Sequence, residues 1–289
     1  MNIKFSYNMA GKYILKTMLA CCLIFSILAC STINDRKATA SKLATGNNLR
    51  KLLVRTDNFI LTTYSKIGND KRPIRVYIEG DGASWVTPRQ LATNPTPRDP
   101  VALKLAAEDT AYPNILYIAR PCQYTDHDLD KKCSSEYWFK KTFSQEVIDS
   151  FNQTIDYFNK NNNKISLIGY SGGAAVAILV AASRNDVASI RTVAGNLDHK
   201  AVTDLHNATF LDGSLNPINV AEKVKHIPQH HFSGAKDMTV PSDITKKFVQ
   251  RARSNSGSCA QMTILPDMGH YKGWEYKWND LLGYSLKCE

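Results

Sequence analysis

The 289-residue sequence predicts an α/β fold class, a mostly parallel central sheet with helices on both faces. Two observations carry this. From about residue 52 short β-type runs alternate with helical patterns, and several of the runs are continuously apolar, as in "ISLIGY", the signature of strands covered on both sides. With 43% apolar residues, a chain of this length can bury a substantial core.

The elements follow in order. "LLVRT" (52–56) and "FILTTY" (59–64) are β-type runs separated by a polar Asp-Asn pair, which suits an antiparallel hairpin. Further strands are expected at 74–79, 115–119, 165–168, 190–194, 229–233 and 261–265. Helices are expected at 101–109, 143–159, 172–183, 242–253 and 274–282, where apolar residues recur at helical spacing. No internal repeat or second domain is visible, so residues 52–289 read as one domain.

The N-terminus reads differently. Lys4, Lys12 and Lys16 precede any acidic residue, and 18–29 is apolar apart from Ser26. That run is shorter than the roughly 20 residues a spanning helix needs, so 1–29 reads as a signal peptide, with a signal-anchor as the alternative. The segment ends in "SILAC", which resembles the lipobox of bacterial lipoproteins. The resemblance implies cleavage before Cys30, lipidation of its sulfur, export, and anchoring in the bacterial cell envelope; Ser31 rather than Asp after the cysteine points to the outer membrane. A secretory signal that merely ends in cysteine is the alternative. Residues 30–51, "CSTINDRKATASKLATGNNLRK", are small and polar, and read as a flexible tether.

Loss of three signal-peptide lysines reduces 36 basic residues to 33, against 26 acidic ones, a net charge of +7. The basic residues are scattered rather than clustered with aromatics, which argues against a nucleic-acid partner. Cys122, Cys133, Cys259 and Cys288 remain, enough for two disulfides in an exported chain. Of the three pairings, Cys122 with Cys133 and Cys259 with Cys288 each close a plausible loop. No Cys-x-x-Cys or His-Glu-x-x-His pattern occurs, so neither a metal nor a cofactor is expected.

The chemistry concentrates behind the strands, where ligands sit in open α/β sheets. "GYSGG" (169–173) places Ser171 between a buried strand and a helix, with glycines where larger side chains would clash. A serine hydroxyl needs a base held in the right tautomer by an acid. "SGAKDMTVP" supplies Asp237 and "MGHYKGW" supplies His270, each after an expected strand. Asp198, in "AGNLD", is the rival acid, and Asn196 organises its loop.

From about residue 52 onward the chain resembles the α/β-hydrolase superfamily on "GYSGG", "SGAKDMTVP" and "GHYKGW". The resemblance implies Ser171 as nucleophile, Asp237 as orienting acid and His270 as base. It also implies an oxyanion hole from the backbone N–H of Gly172 and that of Asp81 or Gly82 in "YIEGDGASW". A carboxylate beside a developing oxyanion repels it, so the Asp81 side chain is expected to point away. Trp85, Tyr124, Trp138 and Tyr170 are candidate pocket residues, although packing of the 121–143 loop accounts for its aromatics equally well. Residues 195–228 have room for a helix or two but not a large lid. The resulting expectation is a lipid-anchored serine esterase acting on a small-molecule ester or thioester. A peptidase with the same triad and a non-catalytic binding protein on the same scaffold are the alternatives.

Overall fold

The computed structural model describes residues 32–87, 90–253 and 257–288. In chain order the elements are α1 (Ile33–Gly46), β1 (Arg50–Arg55), β2 (Ile60–Ile67), β3 (Ile74–Ile78), β4 (Trp85–Thr87), β5 (Gln90–Leu91), α2 (Val101–Glu108) and β6 (Asn114–Ile118). They continue with α3 (Gln145–Phe158), β7 (Ile165–Tyr170), α4 (Gly172–Ala181), β8 (Val187–Val193), α5 (His199–Leu205), β9 (Gln229–Gly234), α6 (Ser242–Ala252), β10 (Ala260–Leu265) and α7 (Trp274–Leu282). Eight strands form one sheet in the order β1-β2-β6-β3-β7-β8-β9-β10. The hairpin β1–β2 and the β2–β6 pair are antiparallel, and the other neighbours are parallel. The small β4–β5 hairpin lies outside this sheet and was not legible in its short, polar-interrupted sequence.

Successive strand side chains point to opposite faces, and the two halves of the core follow from that. On one face Val76, Ile78, Leu116, Ile118, Ile165 and Leu167 pack with α3, α4 and α6. On the other, Tyr77, Tyr117, Ile168 and Tyr170 pack with α1, α2 and α7. Trp274 and Trp278 of α7 are fully buried there, and Trp278 Nε1 donates to the Tyr77 hydroxyl at 3.0 Å.

The expected tether is largely a docked helix, so the fold includes residues from Thr32 rather than from near residue 52. Thr32 and Asp35 form a capping box: the Thr32 hydroxyl accepts from Asp35 N–H at 3.2 Å, and the Asp35 carboxylate accepts from Thr32 N–H at 2.8 Å. Ala40 and Ala44 are fully buried, Ser41 hydrogen-bonds the Tyr64 hydroxyl at 3.2 Å, and Arg36 donates to the Thr96 carbonyl at 2.9 Å. The low content of large apolar residues misled because this helix docks through small alanines that let its backbone approach the domain. The apolar run 18–29 and Cys30 lie outside the described residues. Among the described residues no helix is long and apolar enough to cross a membrane.

Both favoured disulfides are present, with Cα–Cα separations of 5.4 Å for Cys122–Cys133 and 3.9 Å for Cys259–Cys288. The first staples the loop that follows β6. The second ties the chain end to the start of β10.

Removal of residues 1–47 is expected to lower unfolding stability by about 2–4 kcal/mol relative to removal of residues 1–30, because it uncovers the face that Ala40 and Ala44 seal. Urea unfolding of the two chains measures this. Equal midpoints would mean that α1 contributes nothing to the fold.

Candidate active site

β7 delivers the chain into a turn that few residues can make. Ser171 sits at φ 52° and ψ −121°, a conformation costly for a residue with a side chain, and α4 starts at the next position. A Cβ on Gly169 would lie 2.4 Å from the Gly173 carbonyl oxygen, and one on Gly173 would lie 2.2 Å from that of Ile78. Glycine at both positions is therefore required by contact.

His270 follows β10 and Asp237 follows β9. The structure brings the three side chains into one line: Ser171 Oγ is 3.0 Å from His270 Nε2, and His270 Nδ1 is 2.8 Å from Asp237 Oδ2. Asp237 is buried, and its Oδ1 accepts from the backbone N–H groups of Thr239 and Val240 at 2.9 and 2.8 Å. With Asp237 as acceptor, His270 carries its proton on Nδ1 and leaves Nε2 free to accept from the serine. The backbone that carries the ring is fixed as well, since the Tyr170 hydroxyl and Trp274 Nε1 donate to the His270 carbonyl at 3.0 and 3.1 Å.

The rival acid Asp198 is committed elsewhere: it caps α5 by accepting from Ala201 N–H at 3.3 Å and receives Asn216 Nδ2 at 2.8 Å. The backbone N–H of Asn196 donates to the Ser171 carbonyl at 3.0 Å. Fully buried His231 is bonded to Thr192 and Gln229, and burial pulls its pKa down to about 3, so it stays neutral inside the sheet.

The loop after β3 lies beside the start of α4. The backbone N–H groups of Asp81, Gly82 and Gly172 donate to nothing among the described residues, which leaves them available to an incoming oxygen. The Asp81 side chain is engaged by the fold. It points toward α4, where a Cβ on Gly172 would fall 2.1 Å from Asp81 Oδ1 and 2.4 Å from Oδ2. The physical reason is a cation: Arg120, just beyond β6, donates from Nη1 to Asp81 Oδ1 at 3.1 Å. Behind this loop sits buried Glu79, which accepts from Gly80 N–H at 2.9 Å, from Ala102 N–H at 3.3 Å and from the Tyr117 hydroxyl at 3.1 Å.

A cavity of about 590 Å³ opens over Ser171 and His270. Trp85, Trp138 and Tyr170 line it as expected. Tyr124 does not; its backbone turns at φ 59° and its ring packs in the core beside Tyr117. Sequence reasoning missed Phe139, which stacks edge-on against Trp85 at 5.4 Å, and Tyr271, whose ring meets His270 at 4.7 Å. Adjacency to Trp138 and His270 was the available signal for both. The segment 195–228 contributes α5 and a short helical turn (Pro217–Val220), with Thr203 and Leu211 on the cavity wall.

Comparison with known proteins places the fold. Among solved structures, the chain is similar to an esterase of Pyrococcus furiosus (TM-score 0.59, 13% identity, 83% of this chain and 92% of that one). It is also similar to a putative dienelactone hydrolase of Klebsiella pneumoniae (TM-score 0.54, 17% identity, 81% and 96%). A third similarity is to an acylaminoacyl peptidase of Pyrococcus horikoshii (TM-score 0.58, 12% identity, 80% of this chain). The chain spans only 38% and 42% of the acylaminoacyl peptidase chains it matches. At these identities the likeness is one of fold, that of the α/β hydrolases. No curated protein matches. The model of the family described as serine hydrolase (FSH1) matches residues 110–271, a span that includes Ser171, Asp237 and His270. That is more than half of the sequence, and the chain belongs to the serine hydrolase (FSH1) family.

Proposed function

We propose that this serine hydrolase cleaves a carboxylic ester or thioester through Ser171, His270 and Asp237, and that it is exported and held at the bacterial outer membrane by lipid on Cys30. The observation that carries the catalytic part is the Ser171–His270–Asp237 hydrogen-bond chain, at 3.0 and 2.8 Å, opening into the cavity. The anchoring part rests on the lipobox-like "SILAC".

In the reaction, Ser171 Oγ bonds to the substrate carbonyl carbon while His270 Nε2 takes the hydroxyl proton. The carbonyl π electrons move to oxygen, which is received by the N–H groups of Gly172 and of Asp81 or Gly82, at the positive end of α4. Collapse of this intermediate breaks the bond to the alcohol or thiol, which leaves with the proton returned by His270. Water then repeats the sequence on the acyl-enzyme and releases the acid. Asp237 holds the ring and stabilises the imidazolium without taking its proton. An ester suits this site better than an amide because its leaving group departs more readily. The open cavity, roofed by short elements rather than a large lid, suits small acyl groups.

Buried Glu79 fixes the oxyanion loop to the first turn of α2, and burial pushes its pKa up to about 7 against the pull of its hydrogen bonds. The native state therefore binds this proton more tightly than the unfolded chain, whose carboxyl titrates near 4.5. The contribution of Glu79 to stability falls as pH rises from about 4.5 to about 7, and is level above that.

Two outcomes are expected. The chain from residue 31 onward should hydrolyse p-nitrophenyl acetate and butyrate faster than the palmitate. Ser171→Ala should lower kcat by at least about 10³-fold, and Asp237→Asn by about 10²–10⁴-fold. Hydrolysis unchanged in Ser171→Ala would end the reading. Separately, Glu79→Gln should gain on the native protein by up to about 3 kcal/mol between pH 5 and pH 8 in urea unfolding. A gap that does not widen with pH would show that Glu79 is ionised at little cost.

A further inference from the structure

The Asp81 carboxylate occupies a place that electrostatics alone would forbid. It fills the space where a Cβ on Gly172 would lie, the residue whose N–H receives the oxyanion in the proposed reaction, and its side chain is only about one-third exposed (34%). Negative charge there opposes the negative charge that accumulates on the substrate oxygen.

Among the described residues, Arg120 is the one cation in ion-pair contact with it. Arg120 is deeply placed, with its side chain 4% exposed. Nη2 donates to the Thr142 carbonyl and, at 3.1 Å, to the Thr142 hydroxyl. The Phe143 ring centre lies 5.1 Å from the guanidinium carbon, and Nε has no partner among the described residues. Water reaches the carboxylate from one side only, and a mobile solvent cation does not reproduce a guanidinium fixed in this way. The guanidinium also bridges chain segments far apart in sequence: the oxyanion loop, the end of β6 and the 139–143 segment on the cavity wall.

We propose that Arg120 is a positioning residue of the hydrolysis: its buried guanidinium cancels the Asp81 charge and clamps the oxyanion loop against the start of α4. The N–H donors, rather than the carboxylate, then set the potential felt by the developing oxyanion. The inference rests on the hydrolase reading above and adds a residue that does not touch the substrate. Arg120 acts through Asp81, so its effect falls on the transition state and not on ground-state binding.

Removing Arg120 leaves the half-buried carboxylate without its ion-pair partner beside the start of α4. Removing the Asp81 charge as well takes away the cause of the loss. The test is a double-mutant cycle on p-nitrophenyl butyrate with Arg120→Met, Asp81→Asn and the double variant, all in the chain from residue 31 onward. Thermal unfolding of each variant verifies folding. Arg120→Met is expected to lose about 10²-fold in kcat, the scale of one missing oxyanion donor, with KM within about twofold of the native value. Adding Asp81→Asn should then recover at least about tenfold. A purely structural role predicts the opposite, since a second lesion in a damaged loop adds to the first.

Where Arg120→Met does not fold, the comparison moves to Arg120→Lys and Arg120→Gln. The lysine keeps the charge and should stay within about tenfold of native kcat, whereas the neutral glutamine should lose about 10²-fold. Native kcat in Arg120→Met, no recovery in the double variant, or equal losses for lysine and glutamine overturns the proposal while leaving the hydrolase intact. Failure of the native chain both to hydrolyse the ester and to label with a fluorophosphonate overturns the hydrolase reading and this inference together.

Discussion

Where α4 leaves the sheet, it runs so close to β3 that the carbonyl oxygens of Ile78 and Glu79 stand 2.2 and 2.5 Å from where a Cβ on Gly173 would be. The remaining features of the site depend on that contact. It sets the angle at which β7 passes into α4, and so the strained φ of Ser171. It presses the first turn of α4 against the loop after β3, which brings the Asp81 and Gly82 N–H groups beside Gly172. The parallel pairing of β8, β9 and β10 aligns their ends with that of β7, so that short loops suffice to bring Asp237 and His270 to the serine. A methyl group at Gly173 would have no soft side chain to displace, only backbone already committed to the sheet.

This contact also explains the chemistry packed around it. Bringing helix start, strand end and loop together in a buried place leaves several polar groups short of water, and each is answered locally. Glu79 takes two N–H groups and a tyrosine hydroxyl, Asp237 takes two N–H groups and the imidazole, and Asp81 takes the guanidinium of Arg120. Such groups contribute little net stability; they fix geometry, because moving any of them strands a charge.

Much of this was readable from the sequence, for definite reasons. The parallel strands announce themselves through β-branched runs such as 165–168, and the three reacting residues each follow such a run in a fixed order. What escaped reading depends on contacts between distant residues or on backbone signs that a sequence does not display. The orientation of Asp81 is decided by Arg120, 39 residues later. Tyr124 lies in the core with a positive φ that no neighbouring glycine signals. The first helix hides because Ala40 and Ala44 carry its docking, and alanine is equally at home in a solvated linker.

On the proposed anchoring through Cys30, that helix would limit how far the catalytic body could stray from a bilayer. Only Ser31 separates Cys30 from the capped start at Thr32. An extended residue spans about 3.3–3.6 Å, so an acylated Cys30 would hold the folded mass within roughly 10 Å of the glycerol backbone. A long leash would let the cavity sweep a hemisphere of solvent. On the proposed lipidation of Cys30, a leash this short would confine it to a shell at the headgroup level, where lateral diffusion of the anchor, rather than linker reach, would determine which substrates it meets.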